Sequence, residues 1–134
     1  MLLFSITLFI IGCSETDSKQ LTYENDLVVE KQIDDKNQYE VYTKITNTEK
    51  MVEIKSLLNN ISWEAKEVLM LQPPHYKLRF IDKHSGNDLQ SYFIWITPDK
   101  ETIEVVKEAW GYRKLSKNQA KKLLDLTIGE ALLK

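Results

Sequence analysis

The side chains able to do acid–base, nucleophilic or metal chemistry are few and scattered in this 134-residue chain. Its only histidines, His75 and His84, have no cysteine or third histidine to complete a metal site, and zinc needs several N, S or O donors converging on one point. His84 falls in the polar stretch Asp82 to Asp88, which reads as a loop, and His75 at the start of a strand. Each therefore reads as a lone surface imidazole. Glu101 and Glu104 flank Thr102-Ile103, and a strand would point them to opposite faces, which disqualifies them as an acid/base pair on one substrate. Asp34-Asp35 stand between two predicted strands, where acidic residues serve a turn rather than a cation. The four glycines are unclustered and make no phosphate cradle. No serine nucleophile elbow, HExxH or EF-hand spacing occurs either. The single cysteine, Cys13, can form neither an intrachain disulfide nor a cysteine-based metal site. The expectation is no catalytic residue, no metal and no cofactor.

What remains reactive is Cys13 itself, and its setting gives it a role. Met1 to Cys13 reads MLLFSITLFIIGC, nearly unbroken apolar chain from Leu2 to Ile11. As a helix, ten residues at ~1.5 Å each reach roughly 15 Å, about half a bilayer's hydrocarbon core. The run is too short to span but suits the apolar core of a secretory signal. Its end, Ile10-Ile11-Gly12-Cys13, resembles the lipobox of bacterial lipoproteins. That resemblance implies a diacylglycerol on the Cys13 thiol, removal of residues 1–12, and Cys13 as the new N-terminus. No Lys or Arg precedes the apolar run, so either the start lies upstream or the signal is atypical. The alternative is a buried N-terminal strand with Cys13 as a small core residue. Against it, the run lacks a strand's alternation, and Ser14 to Gln20 then turns abruptly polar. Two acyl chains would hold the protein stably to a bilayer, where one holds only marginally.

The near balance of 18 basic and 20 acidic residues, net −2, leaves no electrostatic footprint for nucleic acid. Residues 1–12 are thus expected as signal, 13–22 as the lipidated cysteine and a flexible tether, and 23–134 as one domain large enough for a real core.

Within that domain the periodicities alternate. Leu27 to Ile33 reads as a strand, Asp34 to Asn37 as a turn, and Tyr39 to Ile45 as a second strand with Tyr39, Val41, Thr43 and Ile45 on one face. Thr46 and Glu49 have the spacing of a capping box for a helix whose apolar stripe is Met51, Ile54, Leu57, Leu58 and Ile61. Ser62 to Leu71 leaves two readings open, a strand alternating Trp63, Ala65, Leu69 and Leu71 or a helix favoured by its Ala, Lys and Glu, and Pro73-Pro74 stops either. Tyr76 to Ile81 alternates as a half-exposed strand. Leu89 to Thr97 is apolar on both faces and belongs mid-sheet, with Trp95 buried. Thr102 to Val106 and Tyr112 to Leu115 are shorter strands. Ser116 and Gln119 open a last helix, with Gly129 suited to its C-terminal cap.

These elements imply an α+β fold: a single domain with an antiparallel sheet of about five to six strands and two amphipathic helices packed on one face. From Ile45 to Leu124, the Met51–Ile61 helix, Pro74-His75-Tyr76, Tyr92-Phe93-Ile94-Trp95-Ile96 and the Tyr112–Ser116 approach to the last helix resemble the YhfM-like domain of small Gram-positive lipoproteins. That family brings no assigned reaction. The aromatics Trp95, Trp110, Tyr92 and Tyr112 read mainly as core. Trp110, beside Gly111 in a connection, and Tyr112 are the candidates for a binding surface. The expectation is a lipid-anchored protein on the extracytoplasmic face of the cell membrane. Its partners are the bilayer, through acylated Cys13, and an unidentified envelope or exported protein. Alternatives are an immunity-type lipoprotein that intercepts a toxin, or an enzyme whose residues carry no recognisable spacing.

Overall fold

The computed structural model describes residues 25–134; the expected signal, Cys13 and the tether lie outside them. The elements run β1 (Asn25–Gln32), β2 (Tyr39–Ile45), α1 (Thr48–Asn59), β3 (Tyr76–Asp82), β4 (Asp88–Ile96), β5 (Ile103–Lys107), β6 (Tyr112–Lys114) and α2 (Lys117–Thr127). The six strands form one antiparallel sheet in the order β2-β1-β3-β4-β5-β6. The α+β architecture read from the periodicities is the one present.

Both helices cover the same face. Met51, Ile54 and Leu58 of α1 and Ala120, Leu123 and Leu124 of α2 join Leu27, Val29, Leu78, Phe80, Tyr92, Ile94, Ile103 and Val105 in one core. Strand alternation explains the choice: on β3, Tyr76, Leu78 and Phe80 go inward while Lys77, Arg79 and Ile81 go outward. β4 lies mid-sheet as expected. Yet Trp95 is only half-buried, because Tyr92 and Ile94 take the helix side and Trp95 is left on the face without helices.

Local chemistry sets the boundaries. Asp34 and Asp35 take φ of 49° and 56°, and Lys36 N–H closes the turn on the Ile33 carbonyl at 3.0 Å. Two successive positive φ values make a type I′ turn, which Asp tolerates better than most residues. α1 is capped by Asn47, whose Oδ1 accepts the Lys50 N–H at 3.0 Å, rather than by the expected Thr46. Asparagine is as good a cap as threonine, and the helix starts one residue later. At α2 the expected Ser116–Gln119 box closes in both directions, and Gly129 follows the helix at φ 78°. The C-terminal tail is tied down: Leu132 and Leu133 pack on the core, and Lys134 N–H reaches the Lys100 carbonyl at 2.9 Å.

β2 departs from simple alternation. Val29 pairs with Thr43 but Glu30 with Val41, so Tyr42 is an extra, unpaired residue. This bulge turns Tyr39 and Val41 to the opposite face from Thr43 and Ile45. Freed from the ladder, Tyr42 packs edge-on against Tyr76 at 6.4 Å and donates its hydroxyl to Glu130.

Candidate functional site

Because paired residues share a face, the face without helices can be read row by row. Val41, Glu30, Lys77, Phe93, Val106 and Tyr112 form one continuous row across all six strands. Lys77 Nζ sits 3.8 Å from the Tyr39 ring centroid and 5.8 Å from that of Phe93, two cation–π contacts from one ammonium. Beside this row, Arg79 bridges Glu30 and Asp88. These cations already hold partners, so the row reads as self-satisfied surface.

The ambiguous segment Ser62 to Leu71 crosses this face as neither helix nor strand. It begins with a single β-bridge, Glu64 to Tyr112, which closes the β6 edge. Lys66 Nζ then lies 4.7 Å over the Tyr112 ring. Further along, the Gln72 carbonyl accepts the Trp95 indole N–H at 2.8 Å, and the Pro74 carbonyl accepts the Tyr39 hydroxyl at 2.7 Å. The strap alternates: Val68 and Met70 are half-buried, while Leu69 and Leu71 are 88% and 93% exposed. Among the described residues nothing covers these two leucines. The composition gave no signal for them, since alternation fixes which residues share a side but not which side is covered.

The two residues singled out from the sequence fare differently. Trp110 is 60% exposed, with Lys107 Nζ 5.6 Å from its ring. It sits between Ala109 at φ 81° and Gly111 at φ 145°. Tyr112 is buried and donates its hydroxyl to Glu104. Burial, with the neighbouring Glu104 carboxylate, pushes the Tyr112 phenol up to about 12. The Tyr92 phenol is likewise raised to about 12, by burial. Tyr112 thus belongs to the packed sheet, and Trp110 alone of the pair offers surface.

His75 is structural in its contacts. Its backbone joins β1 and β4, through Gln32 N–H to its carbonyl and its own N–H to the Ile94 carbonyl. Its Nδ1 accepts the Ile96 N–H at 3.0 Å, which fixes the neutral ring with its proton on Nε2. Burial lowers its pKa, with Asp35 opposing weakly. In the loop after β3, His84 donates its backbone N–H to Asp82. Glu101 pairs with Lys117, while Glu104 accepts the Tyr112 hydroxyl, so the two carboxylates hold separate partners. Among the described residues no three His, Cys, Asp or Glu side chains gather where a metal could sit, and no helix is long and apolar enough to cross a membrane. An open groove between the helices, lined by Val52, Glu53, Ser56, Leu57, Asn118 and Lys122, brings in Glu53 and Lys122 as its charged groups. Comparison of the chain with protein-family models, curated proteins and solved structures finds no match, so its own residues carry the functional argument.

Proposed function

We propose that the protein is a lipoprotein of the extracytoplasmic membrane face, anchored through acylated Cys13, whose folded domain binds another envelope or exported protein. The observation that carries the reading is the sequence MLLFSITLFIIGC, a short apolar run closed by a small residue and the chain's only cysteine. A binding role is supported by Leu69 and Leu71, which the strap leaves exposed while Val68 and Met70 are half-buried. Cys13→Ala tests the anchor: the wild-type chain is expected in lipidated form without residues 1–12, and the variant unlipidated with those residues retained. A wild-type chain as unlipidated and uncleaved as the variant would sink the lipoprotein reading. For the binding surface, a photo-crosslinking side chain at position 71 is expected to trap a discrete adduct in cells, and one at position 121 on the back of α2 to trap none. Failure at position 71 removes the strap as the contact.

A further inference from the structure

Trp110, 60% exposed, is the most exposed of the chain's three tryptophans, and its turn points toward the end of the sheet where the described chain begins. Asn25 opens β1 opposite Asp82, so the hairpin 83–87 and residue 25 share that end. Beyond the Tyr92–Lys107 pair, Glu108 N–H reaches the Ser91 carbonyl and the Gln90 side chain reaches the Glu108 carbonyl. These contacts carry β5 and its turn toward the same end, with Glu108 level with Ser91 and Gln90, next along β4 to Leu89, which is 47% exposed. β1 and β5 are separated by β3 and β4, three strand spacings or roughly 14 Å. The turn that carries Trp110 therefore opens toward the end of the sheet where the preceding chain joins the domain.

We propose that this end, with the exposed Trp110 of the β5–β6 turn and Leu89 of β4, rests in the interfacial layer of the bilayer that holds Cys13. The proposal depends on the lipoprotein reading and adds an orientation to it. Residues 14–24 separate Cys13 from Asn25. Even fully extended, at ~3.3–3.6 Å each, they allow no more than about 40 Å. It is this end of the sheet that the tether joins directly to the lipid. Its chemistry suits that layer. An indole has an apolar body and one polar N–H, and tryptophan concentrates at membrane–water interfaces for that reason. Lys107, already over the Trp110 ring, can lay its stem along the apolar side and its ammonium among phosphates. Lys44 and Lys83 flank the chain's entrance at Asp26. Asp82, Asp88 and Glu108 at the same end offset these charges, so contact comes from the indole and not from a net positive field, and it should survive high salt.

The test uses the mature lipidated protein in phosphatidylglycerol–phosphatidylcholine vesicles whose acyl chains carry bromine just below the headgroup, with tryptophan emission as readout. Flotation first shows whether the chain is vesicle-borne. If it is not, the lipoprotein reading and this orientation fall together. If it floats, emission is expected to be quenched, with that quenching lost in Trp110→Phe, retained in Trp63→Phe, and unchanged in high salt. Trp110 is exposed, so its replacement leaves the fold intact, and an unchanged melting midpoint confirms that. A floating protein with no quenching, or with the same quenching in Trp110→Phe, overturns the orientation and leaves the anchor standing. Trp110 emission that responds to protein concentration instead of bromine would assign this end to a second copy of the chain and overturn the proposal equally.

Discussion

His75 couples the sheet to pH. Its Nδ1 accepts the Ile96 N–H only when the ring is neutral, and burial lowers its pKa below the ordinary 6.5. Since the unfolded chain binds the proton more readily, the stabilisation is complete above about pH 6.5 and is lost as pH falls through the lower folded value. Urea midpoints measured from pH 8 downward should therefore drop across that window, and the drop should shrink in His75→Asn. An unchanged pH slope in that variant would remove His75 as its source. Tyr112 works in the opposite direction. Its phenol, raised from 10.0 to about 12 by burial and the Glu104 hydrogen bond, stabilises the fold below pH 10 and loses that contribution as pH climbs toward 12. Tyr112→Phe should cost about 1 kcal/mol at neutral pH and flatten part of the alkaline decline. A variant as stable as the wild type would mean that the Glu104 contact contributes nothing. The sequence flagged Tyr112 as surface because nothing in its neighbours shows the Glu64 bridge that closes over it.

Elements were legible where one local signal sufficed. The Ser116–Gln119 box, the Asp34-Asp35 turn and the alternation of β3 each have their cause within a few residues, and each stands as read. Signals failed where the deciding partner is distant. The β2 bulge at Tyr42 answers to Glu130 and Tyr76, and the strap 65–74 answers to Tyr39, Trp95 and Tyr112, none of them neighbours in sequence. Trp95 shows the same limit. An apolar strand mid-sheet suggested cover on both sides, but both helices went to one face and only the strap crosses the other. Two element-scale outcomes follow. Ser116→Ala should cost about 1 kcal/mol, since it removes the bond to the Gln119 N–H. Ala109→Gly should raise stability by up to about 1 kcal/mol, because relief of an L-residue at positive φ, worth ~1–2 kcal/mol, outweighs the added freedom of the unfolded chain. Chemical denaturation of the two variants beside wild type checks both signs.

Over the whole molecule, one apolar layer between sheet and helices holds the fold. With no disulfide available in this single-cysteine chain, that layer has to outweigh chain entropy. Phe80, fully buried against Tyr92, is near its centre. Phe80→Ala should cost about 3–5 kcal/mol, a large share of the ~5–15 kcal/mol typical of a domain. Trp95→Ala should cost clearly less, because its ring is half in water and its indole N–H bonds only to the strap. Equal losses would show that the open face is as tightly packed as the helix side. The domain also has a polarity. Asn25 and the Trp110 turn lie toward one end of the sheet, while the chain leaves the Leu69–Leu71 strap for β3 at the other, where Tyr76 pairs with Ile94. An anchor at the first end would hold the exposed leucines away from the lipid, where a partner could reach them. All of this turns on Cys13, so the most direct measurement is the intact mass of the protein extracted from membranes. The expected species begins at a diacylated Cys13 and lacks residues 1–12. A chain that retains Met1, or carries a free Cys13 thiol, would contradict the account.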